Sequence, residues 1–76
     1  MPVTMFAVQS STILSIGYYE EAQGLHIMFN GGHEYVYPGV PANLWTQFRE
    51  APSIGKFFSR EIRGIYPTKK VEKDND

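Results

Sequence analysis

Residues 29–41 read FNGGHEYVYPGVP. How this stretch folds back on the preceding LHIMF, residues 25–29, decides which side chains form the core. A loop of Gly31 and Gly32 alone would pair Met28 with Tyr35. His26, Met28, Tyr35 and Tyr37 would then share one face, and Ile27, Phe29, Glu34 and Val36 the other. Both faces would be mixed. A loop of Asn30, Gly31 and Gly32 instead pairs Phe29 with His33, Ile27 with Tyr35 and Leu25 with Tyr37. Leu25, Ile27, Phe29, Tyr35 and Tyr37 then form an apolar face, with His26, Met28, Glu34 and Val36 behind it. Burial selects the register that keeps one face uniform. The sequence therefore predicts the three-residue loop, a type I turn with a left-handed residue at Gly32. It makes both tyrosines core or core-rim residues, not a platform on which bases stack.

Working outward, STILSIGYYE (residues 11–20) alternates Leu14, Ile16 and Tyr18 with Ser15, Gly17 and Tyr19. That period of two marks a strand. TMFAVQ, residues 4–9, adds a possible short strand at the start. Pro38 and Gly39 end the sheet region, because proline cannot donate to a ladder. Pro41 suits the first turn of a helix. In PANLWTQFREA (residues 41–51), Leu44, Trp45 and Phe48 make one helical stripe. Pro52 ends that helix, and Ser53 is a good N-cap for the next. Ile54, Phe57, Phe58 and Ile62 recur at i, i+3, i+4 and i+8, and Gly64 suits the C′ place. IYPTKKV, residues 65–71, is read as a closing strand. Strands followed by helices imply an α+β domain or a small barrel with appended helices. Residues 1–71 form one domain. The charged tail 72–76 is expected to be disordered.

A chain of 76 residues is small. Such chains bury only about 60% of their unfolded surface, so their stability is marginal. There is no cysteine, hence no disulfide and no thiolate metal site. Oligomerisation, as a dimer for example, is the remaining aid, and 42% hydrophobic content allows it. No apolar run approaches the ~20 residues that span a bilayer, and the N-terminus does not read as a signal peptide. The expectation is a soluble cytoplasmic protein with no membrane partner.

Net charge is −1 but unevenly placed. Residues 1–48 contain no lysine or arginine. Arg49, Lys56, Arg60, Arg63, Lys69 and Lys70 face only Glu50 and Glu61 across residues 49–70. Such asymmetry marks either a nucleic-acid or phosphate surface or a solvated helix face.

Motifs for catalysis fail. Gly55-Lys56 near a helix start is not a P-loop, because Glu50 and Phe57 stand where glycine and Ser/Thr are required. Lys56 beside Ser53 either holds a phosphate or lays its stem on Phe57 or Trp45 with its head in water. His26 and His33 are the only histidines, too few for zinc. No GxSxG elbow surrounds a serine. Ser10-Ser11-Thr12 reads as polar residues before a strand. The chain is expected to be no enzyme and to take no metal or cofactor.

The order and spacing of several features resemble one known family. They are Ser10-Ser11, Ile13, Ile16-Gly17-Tyr18, Leu25-Ile27-Phe29, Gly32, Tyr35-Val36-Tyr37, Val40-Pro41, Ala51, Ser53, Gly55, Phe57-Phe58, Ile62 and Tyr66. Val8 to Tyr66 resembles the KTSC domain family, named from the C-terminus of some lysyl-tRNA synthetases and also found as small bacterial and phage proteins. The resemblance implies a compact Sm-like or SH3-like antiparallel fold, a meander of 3–5 strands, with two short helices in the C-terminal half. It also implies RNA binding and brings no catalytic residues. Tyr19 departs from the acidic or polar residue that often follows the family's tyrosine.

Two function classes follow. In the first, the chain is a non-enzymatic module for RNA or another phosphate-rich ligand, met by Arg49, Ser53, Lys56, Arg60, Arg63, Lys69 and Lys70. In the second, it is a protein-interaction or homo-oligomeric module. That module would use the second sheet face, where His26, Met28 and Val36 lie and where Met28 and Val36 would be exposed in a monomer.

Overall fold

The computed structural model describes residues 3–71. The expected tail at residues 72–76 lies outside them. Five strands run in chain order: β1 Phe6–Ala7, β2 Ile13–Tyr19, β3 Gly24–Phe29, β4 His33–Tyr37 and β5 Lys69–Lys70. They form one open antiparallel sheet in which neighbours in space are neighbours in sequence. Between β4 and β5 lie helices α1 Ala42–Arg49 and α2 Ile54–Glu61. The protein is thus an α+β domain with a five-strand meander and two helices.

The β3–β4 register is the uniform-face one. Phe29 pairs with His33, Ile27 with Tyr35 and Leu25 with Tyr37. The turn differs from expectation. Gly32 N–H donates to Phe29 O at 3.0 Å, and Gly31 has φ +103°. A type I turn needs a negative φ at that third position, whereas type II needs a positive one. The loop is therefore type II-like, and the adjacent glycines permit it. Gly32 follows with φ +89°.

Strand β2 departs from simple alternation. Its register against β3 slips between Ile13 and Ser15. Ile13 pairs with Phe29, Ile16 with Ile27 and Tyr18 with Leu25. Leu14 is the extra residue of a bulge and is 51% exposed, not a core residue.

The apolar face is covered by the helices. Ile13, Ile16, Leu25, Ile27, Tyr37 and Val40 pack with Phe48 of α1, Ile54, Phe57 and Phe58 of α2, and Ile62. Phe58 meets the rings of Phe29 and Tyr37 edge-on, at 5.4 and 5.7 Å. Trp45 stacks on Tyr18 at 5.5 Å, and the Tyr18 hydroxyl donates to Val40 O. This explains why α1 follows the sheet so closely. Pro41 serves as the N-cap of α1, one place before its expected position. Gly64 takes φ +79° within the turn after α2, one residue past the expected C′ place.

The second sheet face meets the N-terminus. A Cβ on Gly17 would lie 2.6 Å from Thr4 O, 2.7 Å from Met5 Sδ and 2.8 Å from Val3 Cγ1. Gly17 pairs with His26, and directly paired residues share a face. Residues 3–5 therefore cross the face that carries His26.

Candidate functional site

A groove of about 800 Å³ lies where α2 meets the open end of the sheet. Three parts of the chain build it. Gln9–Thr12, the β1–β2 connection, forms one wall. Phe29, Tyr35, Tyr37 and Phe58 form the floor. Ser53, Lys56, Ser59 and Arg63 stand along the opposite wall, with Tyr66 and Thr68 at its end.

Local chemistry holds the first wall still. The N–H groups of Thr12 and Ile13 both donate to Ser10 Oγ at 3.2 Å. A serine turning its own backbone in this way competes with the ladder and shapes a loop. Asn30 ties the loop to the β3–β4 turn, since its Nδ2 donates to Ser11 O at 2.8 Å and its N–H to Thr12 O at 2.9 Å. Helix α2 then closes on this loop. A Cβ at Gly55 would stand 3.3 Å from Ser10 Oγ, tighter than most real contacts, so glycine is what lets the two walls approach.

On α2, the Ser53 hydroxyl accepts from Lys56 N–H at 3.3 Å, as an N-cap should. Lys56, Ser59 and Arg63 fall at i, i+3 and i+7, one stripe along the groove side. Among the described residues, no Asp or Glu lines the groove. Two cations thus line a cavity that no acid lines, and Lys56 also borders a neighbouring hollow lined by Glu50. Burial pushes the Tyr37 phenol above its ordinary range, with Tyr35 adding to the effect and Thr68 and Arg63 opposing it. The phenol stays protonated at neutral pH and gives the floor a neutral O–H.

Of the predicted binding residues, Ser53, Lys56 and Arg63 line the groove, and Arg49, Arg60, Lys69 and Lys70 do not. Arg60 is bound to Glu61, Nε to Oε2 at 3.0 Å, and lies 5.8 Å over Phe57, beside a neighbouring hollow that Glu50 also lines. Arg49 lies 5.6 Å over Trp45 and borders a third hollow with Phe6 and Glu50. Lys70 pairs with Tyr35 and shares its side of the sheet, while Lys69 pairs with Val36 and shares the opposite side. His26, Met28 and Val36 are half-buried on that second face. The His26 Nδ1 sits 3.0 Å from Glu34 Oε2.

Sequence reasoning missed Ser11, Thr12, Ser59, Tyr35 and Tyr66 as groove residues. The stripe of Lys56, Ser59 and Arg63 was visible as spacing. The convergence of Ser11 and Thr12 on it was not, because it depends on the Asn30 contacts and on Gly55. Among the described residues, no group of His, Asp or Glu side chains has the arrangement of a metal site, and no helix is long and apolar enough to cross a membrane.

An antiparallel meander with two helices packed on one face defines a small α+β domain class. The chain belongs to the KTSC domain family, whose model matches residues 9–66. It is 38% identical to a KTSC domain protein from Yersinia pestis with a crystal structure. The match has a TM-score of 0.87 and covers 93% of this chain and 100% of that one. An uncharacterized protein of Stutzerimonas stutzeri (strain A1501) is 39% identical over 57 residues, 75% of this chain and 80% of that protein.

Proposed function

We propose that this protein is a cytoplasmic, non-enzymatic binding module for RNA or another phosphate-rich ligand, and that the groove beside α2 is its site. The observation that carries the reading is the charge of that groove, where Lys56 and Arg63 line a cavity with no acid. Ser53, Ser59, Ser11 and Thr12 offer hydroxyls around the same space. The basic set of the reading narrows accordingly, since Arg60 is engaged by Glu61 and Arg49 lies over Trp45. The five-strand antiparallel meander supports kinship with Sm-like and SH3-like folds.

Fluorescence anisotropy with a labelled single-stranded RNA tests the reading. Lys56→Glu with Arg63→Glu should abolish binding, while Arg49→Glu should leave it within about twofold, an exposed charge outside the site being worth little. Two neutralised phosphates predict a slope of about −1.4 in log K against log salt, or about a sevenfold loss from 50 to 200 mM. No binding at low salt, or equal binding by the double variant, would refute it. The protein-interaction reading draws less support, because residues 3–5 already cross the face of His26, and Met28 and Val36 are half-buried.

A further inference from the structure

We propose that the groove holds one nucleotide unit carrying a terminal phosphomonoester, free or at the end of an RNA, with its base against Tyr35 and Tyr66 and its phosphate between Lys56 and Arg63. The inference rests on the reading above and sharpens it from a phosphate-rich ligand to a terminal one.

Size and charge layout argue first. A groove of about 800 Å³ matches the range of small-ligand sites. Binding along a strand needs a basic track beside a row of stacking aromatics. Here the bases do not form a track. Arg49 and Arg60 border other hollows that Glu50 lines, and of the groove's cations Lys56 alone is shared with one of them. Lys69 shares the Val36 side of the sheet, and Lys70, on the Tyr35 side, does not line the groove.

Charge selects the kind of phosphate. A monoester carries about −1.5 to −2 at neutral pH, close to what two cations balance. A diester inside a chain carries a single charge and leaves one cation unmatched. Ser59 lies between Lys56 and Arg63 on their stripe, and Ser11 and Thr12 line the same groove. All three are exposed, and no hydrogen bond among the described residues engages their hydroxyls. They are free to donate to phosphate oxygens.

The floor supplies the ring contact. The register is expected to keep Tyr35 from serving as a stacking surface, but Tyr35 is only half-buried and lines the groove, as does half-buried Tyr66. Tyr35 is braced edge-on by Phe29 at 5.7 Å, and Phe29 in turn by Phe58. A braced ring loses little freedom when a base stacks on it.

Calorimetric titration of the full chain tests the inference. The probes are adenosine, adenosine monophosphate, and RNAs of about ten nucleotides, the size of a strand-binding site, that end in a 5′-phosphate, a 3′-phosphate or only hydroxyls. The monophosphate should bind about tenfold or more tightly than adenosine, and one phosphorylated end better than the hydroxyl end by a similar factor, since each charged hydrogen bond is worth about that much. Lys56→Gln and Arg63→Gln should each erase most of this preference, and both positions are exposed, so the fold is kept. Equal affinity of the monophosphate and the phosphorylated RNA identifies the free nucleotide as sufficient; tighter RNA binding identifies the chain end. Phosphorylated and hydroxyl-ended RNAs binding equally, with affinity rising with length, overturn this inference but leave the RNA reading standing. No binding by any probe overturns both.

Discussion

Replacing Gly17 with alanine asks whether the N-terminal segment is seated on β2 as the structure has it. The new Cβ would lie 2.6 Å from Thr4 O, whereas ordinary contact begins at 3.4 Å. The backbone of Thr4 must retreat by about 0.8 Å, and Met5 Sδ and Val3 Cγ1 must move with it. Overpacking of this kind costs about 1–3 kcal/mol. Alanine also restricts the unfolded chain, which returns about 0.4–1 kcal/mol. The net loss is then centred on about 1.3 kcal/mol, or about 5–10 °C in Tm for a domain of this size. Urea denaturation and thermal melting measure it. A variant starting at Phe6 supplies the control. There the clash is gone, and the same substitution should stabilise by about 0.4–1 kcal/mol. Full-length Gly17→Ala matching or exceeding the parent in stability would refute the seating. An equal loss in both backgrounds would show that the clash is not its cause.

Three further outcomes follow from named contacts. Ser53→Ala removes the N-cap of α2 and should cost about 1 kcal/mol by urea denaturation; an unchanged midpoint would contradict the cap. Gly31→Ala forces a side chain to φ +103° and should cost about 1–3 kcal/mol in the same assay; a neutral result would favour another turn. Tyr37 is held protonated by burial, so its folded pKa lies above its unfolded value near 10. Its contribution is complete below about pH 10 and is lost as pH rises through the raised folded value. Tyr37→Phe should therefore flatten the fall in stability above about pH 10, and equal slopes in parent and variant would contradict this.

The register of the β3–β4 hairpin was legible because only one loop length gives a uniform apolar face. Ser53 and the stripe of Ile54, Phe57, Phe58 and Ile62 were legible for similar reasons, since a cap and a periodic run point to the same helix. The bulge at Leu14 was not, because a single inserted residue leaves a plausible alternation on either side of it. The turn type was hidden too, since two adjacent glycines allow several. For the site, Lys56 and Arg63 stood out by charge, but so did Arg49 and Arg60. Only folding separates them, by giving Arg60 to Glu61 and Phe57 and laying Arg49 on Trp45. The half of the groove made by Ser11, Thr12 and Tyr35 comes from elsewhere in the chain, and no local pattern joins it to α2.

The proposed ligand site is the groove between the β1–β2 loop and α2. Amide chemical-shift mapping by NMR, with the RNA that binds best titrated into labelled protein, tests it most directly. The largest shifts should fall at Ser10, Ser11, Thr12, Tyr35, Lys56, Ser59 and Arg63, with His26, Met28 and Val36 unmoved. Shifts centred on those last three, or on Trp45 and Arg49, would contradict it.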